Sequence, residues 1–213
     1  VLHAPDQGGL AGFKKAAAEA VEGFGETYHA YFQQHNALQT QPKIELDPVP
    51  RVVLVPGLGL FGAGRNAKDA AIVADIAVST IETVTDAEAI GTFESAGEAD
   101  LFDIEYWSLE QVKLGRSPDK PFVGCVAVVT GGAGAIGAAT AEAFAREGAE
   151  VAVLDIDETM AQETCRRIGG AALAVRCDVT DGGSVRAAFD TVCERFGGVD
   201  LVVSNAGGAW QGK

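Results

Sequence analysis

Four short apolar runs recur at regular intervals in the C-terminal part of the chain, and stretches with helical periodicity separate them. We predict strands at residues 125–130, 150–155, 172–178 and 199–205, and helices at residues 135–147, 158–168 and 182–196. Strands that are apolar throughout and alternate with helices are typical of a parallel sheet covered on both faces. Right-handed connections between them give a Rossmann-like, doubly wound α/β fold.

The N-terminal part of the chain lacks this alternation. Residues 10–35 are rich in Ala, Glu and Lys, which predicts a helix, and the apolar run at 51–55 predicts a short buried strand. A glycine loop follows, and Asn66 is a candidate N-cap for an amphipathic helix at about 67–84. We predict a further helix at residues 98–115, which ends at a glycine.

A proline-containing segment at 116–122 separates the two patterns and is the predicted linker, so we expect domains at 1–115 and 123–213. The chain begins at Val1 without a methionine, and the strand–helix alternation stops after the fourth strand. We therefore expect a fragment of a longer protein whose sheet is incomplete at its C-terminal end. The apolar edge of the fourth strand would be covered by further sequence or a neighbouring molecule, and we expect a homo-oligomer.

The charge of the chain restricts its partners. The 213 residues carry a formal net charge of −14, with acidic residues in excess in both halves, so no basic face is available for nucleic acid. No apolar run approaches the ~20 residues of a membrane span, and no basic-then-apolar leader opens the chain. We expect a cytoplasmic protein that binds neither nucleic acid nor membrane.

Cysteine and histidine are placed unfavourably for a metal site. No two cysteines form a C-x-x-C pair, and all lie among apolar or helical residues, which predicts buried free thiols at Cys125, Cys165, Cys177 and Cys193. His3, His29 and His35 all lie near the N-terminus, and the last two are six residues apart, so they do not share a helix face. We expect no metal site.

Two glycine-rich stretches spell candidate phosphate loops, and their surroundings distinguish them. The stretch "TGGAGAIG" at 130–137 follows a buried strand and opens a helix, and the next strand ends at Asp155. Gly131 permits a tight turn, the small residues through Ala135 let the backbone approach a pyrophosphate, and Gly137 lets the helix pack against the sheet. The start of the helix favours an anion, and Asp155 is placed to bind the adenosine ribose.

The other stretch, "VPGLGLFGAG" at 55–64, lacks these accessory parts. Gly57, Gly59 and Gly62 also spell G-x-G-x-x-G, but no second strand and no strand-end acid follow the helix. We interpret these glycines as shaping a strand-to-helix turn.

Asp155 also bears on the choice between NAD and NADP. A carboxylate about 4 Å from the 2′-phosphate of NADP would repel it by up to ~4 kcal/mol at an effective dielectric near 20, and a third of that is about tenfold in affinity. Arg146 lies on the far turn of the helix, and no basic residue between Thr130 and Asp155 is well placed for that phosphate. We predict NAD as the cofactor.

Residues 124–213 resemble the short-chain dehydrogenase/reductases. "TGGAGAIG" matches the family's T-G-x-x-x-G-x-G with Ala135 in place of a glycine, "CDVTD" at 177–181 matches its third-strand motif, and "SNAGG" at 204–208 matches its N-N-A-G motif. The resemblance implies that Asp178 and Val179 line the adenine pocket and that Asn205 steadies the central strands. The predicted cofactor-binding residues are Thr130, Gly131, Gly134, Ala135, Ile136, Gly137, Asp155, Ile156, Asp178, Val179, Asn205, Ala206 and Gly207.

The upstream residues narrow the resemblance. "VPGLGLFGAG" and "FDIEYWSLEQVKL", followed by the linker and the dehydrogenase pattern, are similar to bifunctional rhamnulose-1-phosphate aldolase/alcohol dehydrogenases. Residues 1–115 would be the C-terminal part of the class II aldolase domain, and the resemblance implies oxidation of a lactaldehyde-like product. Where simple class II aldolases carry a metal-binding His-Gly turn, this chain has Leu58–Gly59.

The same resemblance implies a catalytic serine and a Tyr-x-x-x-Lys pair, which this chain lacks. Tyr28, Tyr31 and Tyr106 all precede the nucleotide-binding pattern, and Glu110 stands four residues after Tyr106. We therefore name no catalytic residue in this chain and expect no dehydrogenase turnover from it alone.

Three functions remain open at this point. The leading hypothesis is an NAD-dependent short-chain alcohol dehydrogenase that acts on a small hydroxy-aldehyde or sugar-derived alcohol and is fused to a sugar-phosphate aldolase domain. The alternatives are a non-catalytic NAD-binding or assembly module, and a lyase whose dehydrogenase-like half is structural. Downstream sequence with a serine and a Tyr-x-x-x-Lys would favour the first.

Overall fold

The computed structural model describes residues 9–107, 120–170 and 172–208. Two compact units can be distinguished among them: residues 9–63 with 70–107, and residues 64–69 with 120–170 and 172–208. Most of the predicted linker, residues 116–119, lies outside the described residues.

Helices and one antiparallel hairpin form the first unit. Its elements in chain order are α1 (Gly9–Asn36), β1 (Val52–Val55), β2 (Gly59–Gly62), α2 (Ala67–Ile90, of which the residues from 70 onward belong here) and α3 (Glu98–Glu105).

The predicted glycine loop after β1 is wrong, because Gly59–Gly62 form β2. The two strands pair antiparallel, with Val52 opposite Gly62 and Val55 opposite Gly59. A Cβ on Gly62 would lie 2.5 Å from the carbonyl oxygen of Ala70, so the missing side chain lets α2 pack against the hairpin. The strand escaped prediction because glycine has a low strand propensity.

The helix boundaries of this unit follow caps and packing more than periodicity. The Oδ1 of Asn66 accepts a hydrogen bond from the backbone N–H of Asp69 at 2.8 Å, which confirms the predicted N-cap. The helix α2 continues to Ile90 rather than ending near residue 84. The helix predicted at 98–115 ends at Glu105, and residues 108–115 of that prediction lie outside the described residues.

All three tyrosines of the chain meet around one carboxylate between α1 and α3. The hydroxyl of Tyr28 donates to Oε1 of Glu105 at 2.6 Å, and that of Tyr31 donates to Oε2 at 3.2 Å. The hydroxyl oxygens of Tyr28 and Tyr106 are 2.7 Å apart. Phe102 and Tyr106 are each only 1% exposed and stack at 4.5 Å. Polar pairing inside an aromatic cluster thus joins the two helices.

The second unit is a parallel sheet with helices on both faces. It contains β3 (Val126–Thr130), α4 (Ala135–Arg146), β4 (Glu150–Asp155), α5 (Glu158–Ile168), β5 (Leu173–Arg176), α6 (Gly182–Phe196) and β6 (Leu201–Val203). The strand order is β5-β4-β3-β6, and all three pairings are parallel. The predicted doubly wound α/β fold is confirmed, with β5 and β6 shorter than predicted.

Successive residues of the central strands point to opposite faces of the sheet, and each face forms its own hydrophobic core. Val128 and Leu154 pack with Ala188 and Val192 of α6 on one face of the sheet. The opposite face places Val129 and Val153 with Ala141 of α4 and Ala161 of α5. The side chains at the centre of β3 and β4 are fully buried. These two strands therefore hold in place the loops that follow them at their carboxyl ends.

The prediction of buried thiols is confirmed only for Cys177. Cys125 and Cys165 are half-buried, and Cys193 is exposed on α6, because a helix that covers a sheet turns one side to solvent. All four cysteines are free. At the sheet edge, β6 pairs only with β3 within the described part of the chain, and Val202 is 54% exposed.

None of the described helices is both long and apolar enough to cross a lipid bilayer.

The tyrosine cluster makes the first unit sensitive to alkaline pH. Burial raises the pKa of Tyr28 and of Tyr31 far above the usual value, and hydrogen bonding to and repulsion by Glu105 add to the shift; burial also raises the pKa of Tyr106. An unfolded tyrosine ionises near pH 10, so the contribution of the neutral hydroxyls to stability is complete below that pH and is lost as the pH rises above it.

We therefore expect tyrosinate absorbance to appear together with loss of helical circular dichroism in an alkaline titration, in one cooperative step above pH ~10. The chain has only three tyrosines, so the signal reports this cluster alone. A reversible tyrosine titration centred near pH 10 with unchanged circular dichroism would contradict the cluster.

Candidate cofactor-binding site

A cleft of about 720 Å³ opens at the carboxyl ends of the parallel strands. In doubly wound sheets, ligands bind at this edge, where the chain switches from one side of the sheet to the other. Every predicted cofactor-binding residue except Thr130 lines the cleft. The site residues named from sequence are therefore brought together in one place.

Thr130 acts behind the cleft, as one half of a clamp with Asn205. The Thr130 Oγ1 accepts hydrogen bonds from the backbone N–H groups of Asn205 and Ala206, both at 3.1 Å. In return, Asn205 Nδ2 donates to the carbonyl oxygens of Thr130 and Gly131, both at 3.1 Å. Thr130 is only 7% exposed. The clamp joins the ends of β3 and β6 and so fixes the floor of the cleft.

Two glycines make the clamp geometrically possible. Gly131 has φ of 61°, and a Cβ there would lie 2.8 Å from Cα of Ala206. A Cβ on Gly137 would collide with the carbonyl oxygen of Gly131 and approach Asn205 Nδ2 to 2.7 Å. The loop therefore packs directly on the "SNAGG" turn, and the helix α4 packs directly on the loop.

The helix α4 differs from α5 and α6 in the hydrogen bonding of the backbone N–H groups in its first turn. The N-cap side chains of Asp157 and Asp181 accept backbone N–H bonds at the starts of α5 and α6. The N-cap of α4 is Gly134, which has an extended backbone and no side chain to accept such a bond. Within the described residues, no side chain therefore caps the first amides of α4, which lie at the cleft and can bind an external acceptor.

Asp155 connects the end of β4 to the glycine loop. Its Oδ2 accepts a hydrogen bond from the backbone N–H of Ala133 at 3.0 Å, and its Oδ1 accepts one from Asp157 N–H at 3.1 Å. Each carboxylate oxygen can accept a second bond. The side chain thus holds the loop and keeps acceptor capacity toward the cleft, which it lines.

The far side of the cleft is built by the turn after β5. Hydrogen bonds from the side chain and the backbone N–H of Thr180 lower the pKa of Asp178. The Thr180 hydroxyl donates to Asp178 Oδ1 at 2.7 Å. The backbone N–H of Asp178 donates to Ser184 Oγ at 2.9 Å. Asp178 is therefore an ionised acceptor whose backbone and side chain are both held in place.

Comparison with known families agrees with this geometry. A model of the second domain of class II aldolases matches residues 1–114, more than half of the chain, and a model of short-chain dehydrogenases matches residues 125–213. The chain belongs to the class II aldolase family through its first part, and its second part matches the short-chain dehydrogenases. Its two units are therefore an aldolase unit and a dehydrogenase unit, in the predicted order.

The curated relatives are longer proteins. An uncharacterized oxidoreductase, YuxG, of Bacillus subtilis is 37% identical over 193 residues, which are 88% of this chain and 28% of that protein. Galactitol 2-dehydrogenase of Agrobacterium fabrum is 48% identical over 81 residues, which are 38% of this chain and 32% of that protein. This chain thus spans about a third or less of the length of these relatives.

Among solved structures, part of the chain matches a 3-ketoacyl-(acyl-carrier-protein) reductase from Brucella melitensis complexed with NADH. The TM-score is 0.37 and the sequence identity 38%, and the match covers 37% of this chain and 33% of that chain.

Sequence reasoning missed five residues that line the cleft of the dehydrogenase unit: Ala133, Met160, Cys177, Thr180 and Gly208. Four of them lie inside or beside the quoted motifs, so the motif boundaries were drawn too narrowly. Met160 is different, because it lies in the first turn of α5 and no motif points to it.

The described histidines of the aldolase unit bond to other side chains. His29 Nδ1 lies 2.9 Å from Glu45 Oε2, and His35, only 7% exposed, lies 3.4 Å from Glu98 Oε2. Leu58 occupies the turn of the β1–β2 hairpin. Within the described ranges, no group of three or more His, Cys, Asp or Glu side chains is placed to hold a metal ion.

The close packing at Gly137 generates a test of the site's construction. We expect Gly137→Ala to destabilise the dehydrogenase unit by about 1–3 kcal/mol, because the added methyl displaces the Gly131 carbonyl or the Asn205 amide. Nucleotide binding should weaken with it. Gly182→Ala is the matched control, because a Cβ there meets no atom within 4 Å.

Chemical denaturation of the two variants measures the difference. If Gly137→Ala unfolds at the same denaturant concentration as Gly182→Ala, the loop does not pack on α4 as described.

Proposed function

We propose that the dehydrogenase unit binds NAD as part of an NAD-dependent short-chain alcohol dehydrogenase. The observation that carries the proposal is the carboxylate of Asp155, which is hydrogen-bonded to the glycine loop and lines the same cleft as the uncapped start of α4. An anionic pyrophosphate suits the free amides, and a ribose diol suits the carboxylate. The donor and acceptor set therefore fits a dinucleotide.

Each part of the cleft has a role in holding the cofactor. The first amides of α4 would bind the pyrophosphate, and Asp155 would accept hydrogen bonds from the adenosine ribose. Asp178 and Val179 would border the adenine, while Asn205 holds the loop and β6 together from behind. When bound, the nicotinamide supplies the hydride acceptor for oxidation of an alcohol.

The proposed substrate is a small hydroxy-aldehyde or sugar-derived alcohol, such as lactaldehyde. The support is the covalent order of the chain, in which a class II aldolase domain precedes the dehydrogenase domain. An aldolase that cleaves a deoxy-sugar phosphate releases a short hydroxy-aldehyde, and a fused alcohol dehydrogenase can oxidise the hydroxyl-bearing carbon by transfer of its hydride to NAD and release of the hydroxyl proton. We propose that the protein acts in this way in the cytoplasm as a homo-oligomer.

None of the three tyrosines of this chain lies in the dehydrogenase unit, so the unit can bind a cofactor but has no tyrosine for the proton transfer of the reaction. The dehydrogenase family uses a tyrosine as acid/base, but all three tyrosines of this chain lie in the aldolase unit, bonded to one another or to Glu105. This chain by itself therefore corresponds to a cofactor-binding module.

We expect the purified 213-residue chain to bind NAD in a fluorescence titration and to form no NADH with lactaldehyde or short diols. NADH formation by this chain would contradict the assignment. Metal-dependent cleavage of a ketose 1-phosphate by a longer protein that contains this chain, without NAD-linked activity, would instead favour a lyase with a structural dehydrogenase domain.

Asp155 sets the expected preference for NAD over NADP. The 2′-phosphate of NADP would meet this carboxylate, so the wild-type chain should bind NADP at least about tenfold more weakly than NAD. Asp155→Asn removes the charge and keeps one acceptor oxygen. It should reduce the dissociation constant for NADP to between about one and three times that for NAD.

Asp157→Asn is the matched control. It removes one charge two residues away and retains an N-cap for α5, since Asn and Asp cap about equally well. Titrations of all three proteins with both cofactors provide the measurement. Equal affinities of the wild-type chain for NAD and NADP would refute the role of Asp155.

A further inference from the structure

The cleft contains more exposed apolar surface than phosphate binding requires. Ile136 is 76% exposed, Ile156 59%, Met160 48% and Val179 45%, and all four line the cleft. Large apolar side chains grouped in a concave site favour a ligand that covers them. NAD carries two flat aromatic groups, adenine and nicotinamide, and the adenine, which is uncharged, suits such a surface.

Three of these side chains belong to one side of the cleft. Ile156 directly follows β4, Met160 lies in the first turn of α5, and Val179 follows β5, the strand that pairs with β4. Ile136 lies apart from them, in the first turn of α4. The three therefore share the side on which Asp155 and Asp178 stand, where the adenosine end of the cofactor is proposed to bind.

We infer that Met160 is an adenine-contacting residue, which completes an apolar adenine pocket with Ile156 and Val179. The inference rests on the proposed function, because it needs a dinucleotide in the cleft. The backbone at Met160 is held in place, since its N–H donates to Asp157 Oδ1 at 3.1 Å.

The chemistry of methionine suits this position. Its thioether is polarizable and makes favourable contacts with aromatic rings, and its unbranched side chain adapts to a flat surface. Met160 thus adds affinity for the aromatic base and not for the phosphates or ribose.

The chain has a single methionine, which allows a direct test. We label the methionine methyl group with ¹³C and add AMP, NAD or nicotinamide mononucleotide to the 213-residue chain. Met160→Leu removes the labelled signal and so assigns it. AMP and NAD should shift the methyl resonance through the ring current of adenine, whereas nicotinamide mononucleotide should leave it in place.

Affinity for AMP provides the second readout. Met160→Ala should weaken AMP binding on the order of three- to tenfold, and Met160→Leu should stay within about twofold of wild type because it keeps the apolar volume. Gln162→Ala is the matched control on the same helix, because its exposed side chain bonds to Glu158 and is not one of the described side chains that line the cleft. It should bind AMP as wild type does.

The outcomes separate this inference from the proposed function. A methyl resonance that does not move while AMP saturates the chain overturns the inference alone, and so does Met160→Ala with wild-type affinity for AMP. If the wild-type chain binds neither AMP nor NAD, the proposed function fails and the inference fails with it.

Discussion

The site depends on the hydrogen-bond clamp between Thr130 and Asn205. These two residues lie 75 positions apart, and four bonds join the end of β3 to the turn after β6. Because the Asn205 amide also holds the Gly131 carbonyl, the position of the glycine loop depends on the turn after β6, far away in the sequence. Thr130 is buried and Asn205 is half-buried, so removing either partner would leave polar backbone groups without their bonds at a partly buried place.

The clamp also explains why the start of α4 is free for a ligand. The loop is held from below by Asn205 and from the side by Asp155, so no capping side chain is needed to order it. The neighbouring helices α5 and α6 use aspartate caps instead. This contrast leaves the start of α4 without a capping side chain, which is why we propose it as the anion site, whereas α5 and α6 are capped by their own aspartates.

Sequence patterns predicted the dehydrogenase unit well because its information is local. The bounds of β4, α5 and α6 match the prediction. An apolar run marks β4, and an Asp before the helix and a glycine after it mark α5 and α6. Most of the cleft residues followed from three short motifs, at 130–137, 177–181 and 204–208. Met160 escaped because a helix residue reaches the cleft only through the packing of α5 beside β4 and β5.

The aldolase unit was predicted less well because its order comes from distant contacts. The β1–β2 hairpin is glycine-rich, and its second strand is specified by pairing and by the fit of Gly62 against α2 rather than by propensity. The hydroxyls of Tyr28 and Tyr31 bond to Glu105 at the end of α3, more than 70 positions away in the sequence. No periodicity within α1 reveals such a partner.

The most direct test is an amide NMR titration of the chain with ADP and with adenosine. ADP should shift the backbone amides of Ala135, Ile136 and Gly137, whereas adenosine, which lacks phosphate, should leave them unchanged even when it saturates the adenine side of the cleft. If ADP binds and these amides do not respond, the first turn of α4 does not hold the pyrophosphate, and the account of the site is wrong.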